Sequence, residues 1–193
     1  MELNVLHPML LTCWQCADRV REDLLATIRP GSPAQWAFRA GTDSWSIAQV
    51  LDHLLRAEIG SSKMARKLIR GDYSTWRPPA GATLYTVELD RYPFGVLDAP
   101  QVLVPDPFRH RDELERELVL AHTRFQAELA GFRGEDPETL CSPDPATGEW
   151  FTLGGWVKLQ AWHEAHHISQ IRRIMAAPEF PRDLRSPTTG SFG

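Results

Sequence analysis

Residues 162–174 read WHEAHHISQIRRI, and on a helical wheel the stretch has one consistent face. With His163 at zero and about 100° per residue, Ile174 falls at about 20°, His167 at about 40°, Ile171 at about 80° and Gln170 at about −20°. Continuing upstream, Trp156 falls at about 20°, Gln160 at about 60° and Leu159 at about −40°. The opposite side carries Lys158, Ala165, Ser169 and Arg172, a set suited to water. The spacing therefore predicts an amphipathic helix over 153–176. Thr152 serves as its N-cap, Phe151 and Trp156 form a hydrophobic staple, and the helix ends before Pro178. His163 and His167 sit in the middle of the face that should be apolar.

Outward from this helix, period 3.6 marks three more helical segments, at 9–28, 46–70 and 108–131, and no stretch alternates with period 2 for long. The second has the clearest start: Ser46 and Gln49 make an S-x-x-Q capping box, with Trp45 and Val50 as the staple. Gly71 ends it. Residues 29–45 and 132–151 are modest loops rich in proline and glycine, but about 37 residues separate the second and third segments. Neighbouring antiparallel helices need far fewer. A crossover of that length lets the second and third helices run parallel. The expected fold is an all-α four-helix bundle, up-down-down-up, occupying residues 1–177, with a mobile C-terminal tail over 178–193. Within the crossover, LYTVEL and VLVP are candidates for a small ribbon. There is no internal repeat.

Composition narrows the function classes. At 193 residues and 42% hydrophobic, the chain can bury one sizeable core. A formal charge of −4 leaves no basic face to neutralise a run of phosphates, so nucleic acid is excluded as a partner. No segment approaches the ~18 consecutive apolar residues that span a bilayer, and the first residues lack the pattern of a secretory signal. The expectation is a cytoplasmic protein without membrane contact. Three cysteines do not make a disulfide framework, consistent with a reducing compartment.

Two imidazoles one turn apart inside a core need partners for both ring nitrogens of each. A divalent metal organises such a pair by accepting one nitrogen from each ring. The alternative is a pair of core histidines bonded to Gln160, Gln170 or backbone carbonyls, and a third ligand decides between the two. His53 is the best candidate. It lies at the edge of the apolar face formed by Ile47, Val50, Leu54, Ala57, Met64 and Leu68, and the small residues Ala57 and Gly60 leave space along its stripe. Three imidazoles from two helices leave a position on the metal open to water or substrate.

Residues 163–167, HEAHH, also match the letters H-E-x-x-H of a zinc protease. The context does not match: only Glu179, in a proline-flanked tail, follows as a downstream ligand, and Gln170 stands where the longer motif needs glycine. Glu164 points about 100° away from His163 and is better read as a supporting or inter-helix partner than as a base. His166 lies about 60° to the other side, a position open to a substrate contact, to a group supporting a ligand or, most commonly, to a rim residue. Cys13 and Cys16 spell C-x-x-C, but without a second pair or a preceding strand they read as packing within an amphipathic helix. His7, His110 and His122 are scattered and read as peripheral. The run RHRDELERE reads as a solvated helix face with i,i+4 charge pairs.

WSIAQVLDHLLRAE at 45–58 combined with WHEAHHISQIRRI at 162–174 resembles the DinB/YfiT-like superfamily. The resemblance spans most of the chain, to about Met175, and implies a four-helix bundle in which a divalent metal is held by one histidine of the second helix and an H-x-x-x-H pair of the fourth. Those positions are His53, His163 and His167 here. It further implies a metal-dependent hydrolase or a thiol S-transferase acting on a small molecule, with a low-molecular-weight thiol as one partner class. Zinc or nickel is the expected ion, although an all-imidazole site also suits copper or iron. Bundle helices of this kind also lend themselves to a homodimer. The alternative function is a non-catalytic bundle in which the metal is structural or the groove only binds a ligand.

Overall fold

Local signals in the chain place each helix end. The computed structural model describes residues 5–95, 97–107 and 109–182. Helix α1 spans Pro8–Ile28 and starts where His7 Nδ1 accepts from Met9 N–H beside a proline in the first turn. A five-residue α2, Pro33–Ala37, was not anticipated; Ser32 and Gln35 close a capping box around it. Helix α3, Ile47–Arg70, carries the expected box: Gln49 N–H donates to Ser46 Oγ at 3.2 Å, and Ser46 N–H to Gln49 Oε1 at 3.1 Å. Gly71 ends it at φ 81°, a left-handed conformation that only glycine adopts without strain.

The crossover then contributes β1, Leu84–Tyr85, and a single 3-10 turn at Gln101–Leu103. Helix α4, Arg111–Leu129, begins with Asp112 and Glu113 in its first turn, where carboxylates favour the helix dipole. Short strands β2, Cys141–Pro143, and β3, Trp150–Thr152, precede α5, Leu153–Met175, whose N-cap Thr152 Oγ1 accepts from Gly155 N–H at 2.9 Å.

Side-chain pairs between helices give their directions. Residues 21 and 23 of α1 meet 164 and 172 of α5, so these two run parallel. Residues 58 and 66 of α3 meet 122 and 128 of α4, again parallel. Residues 53 and 61 of α3 meet 163 and 160 of α5, and 18 and 21 of α1 meet 122 and 118 of α4, both antiparallel. The bundle is up-down-down-up, and the crossover is what makes α3 and α4 parallel. Its interior is leucine-rich and closed by aromatics: Leu51, Leu54, Leu114 and Leu118 are fully buried, and Trp14 meets Phe125 edge-on at 5.6 Å.

The three strands form one sheet ordered β1-β3-β2, with β1 parallel and β2 antiparallel to β3. At two or three residues each, they are too short to show alternation in sequence. LYTVEL thus contributes a strand, whereas VLVP forms the 3-10 turn instead of a ribbon. The sheet matters for what it holds up. Phe151 stacks on Tyr85 at 4.9 Å, Phe94 meets both edge-on, and Tyr92 meets Phe94 at 5.5 Å, so an aromatic chain runs from the sheet to the middle of α5. The start of the expected tail is tied down: Gln35 Nε2 donates to Pro181 O at 2.7 Å and Phe180 packs edge-on to Phe38. Residues 183–193 lie outside the described residues. Among those described, no helix is long and apolar enough to cross a membrane.

Candidate metal centre

Because α3 and α5 are antiparallel, His53 near the start of one faces His163 at the middle of the other and His167 one turn beyond. The three Nε2 atoms converge: His163 Nε2 lies 3.1 Å from His53 Nε2 and 3.1 Å from His167 Nε2. Two rings are held from behind. His53 Nδ1–H donates to Leu103 O at 2.9 Å, and His167 Nδ1–H donates to Gln170 Oε1 at 2.6 Å. With the proton on the outer nitrogen, the inner Nε2 lone pairs point at one another. Trp45 packs on His53 at 5.0 Å, and Tyr92 covers His163 at 5.3 Å and His166 at 5.1 Å.

The electrostatics agree with neutral rings. Burial pushes His53 below the usual 6.5, only partly offset by its bond to Leu103 O. Burial, followed by the charges that His167, His53 and His166 would carry, holds His163 well below that value. His167 is lowered to about 3, again chiefly by burial. Such rings compete weakly for protons and keep their lone pairs near pH 7.

The donor set suits a divalent ion. A tetrahedral site with metal–nitrogen bonds of about 2.0–2.1 Å has ligand nitrogens about 3.3–3.4 Å apart, close to the separations seen here. Among the described residues, these three histidines form the one group of metal-type donors close enough to share an ion. Three donors leave at least one of four positions for something other than protein.

The remaining residues singled out in sequence fall elsewhere. Glu164 turns away from the imidazoles, and both its oxygens accept from Arg21, at 2.8 and 2.7 Å. His166 lies under Tyr92 and does not join the cluster. Gln170 orients His167, whereas Gln160 does not reach an imidazole; its Oε1 faces Ser61 Oγ at 3.5 Å and its Nε2 is buried without a partner. Glu179 is exposed in the tail. Cys13 is buried in the core, which pushes its thiol up to about 11, far from a nucleophile's range.

The expectation that His122 is peripheral is corrected: its Nδ1 faces Glu58 Oε1 at 2.7 Å and its Nε2 faces Asp18 Oδ1 at 2.9 Å. Of RHRDELERE, Arg111–Glu115 and Arg109–Glu113 are the expected i,i+4 pairs, but Arg109 also reaches buried Asp52 at 3.3 Å. Sequence reading missed Leu103, Tyr92 and Asp52. A backbone carbonyl and a ring in a proline-rich crossover carry no periodic signal.

Comparison with known proteins places this geometry in a family. The profile of the DinB superfamily matches residues 17–171. YuaE of Bacillus subtilis (strain 168), a protein described as uncharacterised, is 26% identical over 137 residues, covering 70% of this chain and 80% of YuaE. Among solved structures, YfiT from Bacillus subtilis aligns over 86% of each chain with a TM-score of 0.51 and 19% identity. YfiT is described as a probable metal-dependent hydrolase with an unusual four-helix bundle topology.

Proposed function

This chain belongs to the DinB superfamily, and from that premise we propose that His53, His163 and His167 hold a divalent metal at the centre of a hydrolase acting on a small molecule. One observation carries the reading: two Nε2–Nε2 separations of 3.1 Å among three imidazoles, two of which, His53 and His167, already have their outer nitrogens bonded. Three neutral imidazoles crowded this way lack donors for their inner lone pairs, and a cation satisfies all three at once.

A divalent ion supplies Lewis-acid polarisation of a substrate oxygen and acidifies water or a thiol. The chain's own groups then have distinct tasks. Leu103 O and Gln170 Oε1 hold the outer protons of His53 and His167, fixing tautomer and ring orientation. Trp45 and Tyr92 wall the centre with aromatic faces and limit access of bulk water. Glu164 is not the general base, because Arg21 occupies both oxygens. The finer form of the proposal takes zinc or nickel as the ion and a small thiol as a co-substrate, as the family resemblance implies.

The test begins with metal-stripped protein titrated with Zn²⁺ or Ni²⁺ by calorimetry. We expect one ion per chain, with affinity reduced at least ~10-fold in His53→Ala and His167→Ala. The reconstituted protein is then assayed on small ester and amide substrates with and without a low-molecular-weight thiol. Full-strength binding by either alanine variant overturns the ligand set. Loaded protein inert on every substrate, with or without thiol, overturns the enzymatic reading and leaves a structural ion.

A further inference from the structure

On the side of α5 turned away from the imidazoles lies a second polar cluster, and the metal chemistry does not use it. Arg21 of α1 is only 4% exposed, and all three nitrogens of its guanidinium donate hydrogen bonds. Its Nε and one terminal nitrogen donate to the two oxygens of Glu164 on α5, at 2.8 and 2.7 Å. That same terminal nitrogen donates to Glu58 Oε2 on α3 at 2.8 Å, and the other donates to Leu118 O on α4 at 2.8 Å. Glu58, 1% exposed, also faces His122 of α4, which Asp18 of α1 flanks and Trp14 packs against, tilted, at 4.3 Å. One guanidinium therefore bonds each of the other three long helices.

Cohesion alone does not explain such an arrangement. Desolvating a guanidinium and two carboxylates offsets most of their attraction, and apolar side chains of similar size commonly hold a core together as well. What apolar packing lacks is directional fixation. A planar guanidinium forked onto a carboxylate admits one orientation, so helices joined this way cannot rotate or slide independently. The helices joined here carry the imidazoles. Glu164 is the residue next to His163, and Glu58 follows His53 by five positions, about 7.5 Å along α3.

We propose that Arg21 is the positioning residue of the three-histidine centre: it locks the rotation and height of α5 against α3 so that the three Nε2 atoms meet. The proposal rests on the metal reading above. It assigns no bond from Arg21 to substrate or ion.

The test separates positioning from stability. The triple variant Arg21→Met/Glu58→Gln/Glu164→Leu replaces the ion pairs with apolar packing while keeping an acceptor for His122. Arg21→Lys keeps the charge but not the fork, and serves if the triple variant does not fold. Helicity and melting of the metal-free proteins identify folded material. Zn²⁺ affinity and the visible spectrum of bound Co²⁺ then report the site.

We expect folded variants to bind Zn²⁺ about 10–100-fold more weakly, with an altered Co²⁺ spectrum. Arg172→Ala, which removes the exposed α1–α5 ion pair to Asp23, should stay within about twofold of wild type, since exposed pairs contribute little. Wild-type affinity and spectrum in a folded variant at position 21 overturn this proposal alone. An equal loss in Arg172→Ala does the same. Wild-type protein that binds no metal overturns the metal reading and this proposal together.

Discussion

His167→Leu should make the metal-free protein less sensitive to acid, by an amount set by the lowered pKa of the lost ring. In the folded chain His167 is lowered to about 3, whereas the unfolded ring titrates near 6.5. The folded value is the lower one, so between these limits the unfolded chain binds the extra proton. Stability is then fully present above about pH 6.5 and is lost as pH falls toward about 3. From pH 6.5 to pH 5 the interval is about 1.5 units, and at about 1.4 kcal/mol per unit His167 alone should remove about 2 kcal/mol. His53 and His163 are lowered as well and remain in both proteins; losing the His167 charge relieves part of the lowering of His163, which moves the comparison in the same direction. The assay is urea unfolding of wild type and variant in chelator at pH 7.5 and pH 5. The stability difference should shift by about 2 kcal/mol in favour of the variant at the lower pH. Adding Zn²⁺ at about 100 times the wild-type Kd at pH 7.5 should raise wild-type stability by about 2.7 kcal/mol and the variant's by no more than about 1.4 kcal/mol, the gain left after a roughly 10-fold loss of affinity. A difference that does not change with pH would refute the neutral, buried imidazole on which the site is built.

Three other perturbations read the scaffold around the site. Gly155→Ala places a Cβ 2.2 Å from Tyr85 O and should cost about 1–3 kcal/mol in a thermal melt; an unchanged Tm would show that β1 does not pack this closely on α5. Asp52→Ala removes a fully buried carboxylate that accepts from Arg56 Nε at 2.8 Å, Asp106 N–H at 2.7 Å and Arg109 at 3.3 Å. It should cost about 2–3 kcal/mol in urea unfolding and expose residues 103–107 to limited proteolysis, with a wild-type digestion pattern as the contrary result. Ser46→Ala deletes half of the α3 capping box and should lower stability by about 1 kcal/mol, read as a shift in the urea midpoint at constant m-value.

What was legible in sequence was what short-range physics determines. Ser46, Gln49 and Gly71 act within a few residues of themselves, so the ends of α3 could be read directly. His163 and His167 lie four apart on one face, and His53 lies on an apolar face of another helix, so a convergent trio could be anticipated from periodicity. The crossover's length foretold the parallel α3 and α4 without foretelling its path. That path rests on Leu103 O, Tyr92 and the Asp52 contacts to residues 106 and 109, pairings made 50 to 71 residues away in a segment with no repeating pattern. Arg21 was invisible for the same reason: its partners lie 37, 97 and 143 residues distant, and a lone arginine in an amphipathic helix reads as a solvated one.

The pair His163-Glu164 shows why face matters more than letters. H-E-x-x-H works in a zinc protease only when the glutamate has an oxygen free to take a proton near the ion. Here the same letters straddle the boundary between two environments. His163 faces the imidazole trio, while Glu164, about 100° further round the helix, is sunk in the bundle with both oxygens on Arg21. Burial raises the Glu164 carboxyl above its usual range, and Arg21, forked onto both oxygens, opposes that rise. Freeing the carboxylate for base chemistry would strand the guanidinium, which has no solvent to turn to. The arrangement therefore fixes the division of labour along α5: one residue offers its lone pair toward the trio, and its neighbour holds that residue's helix in place.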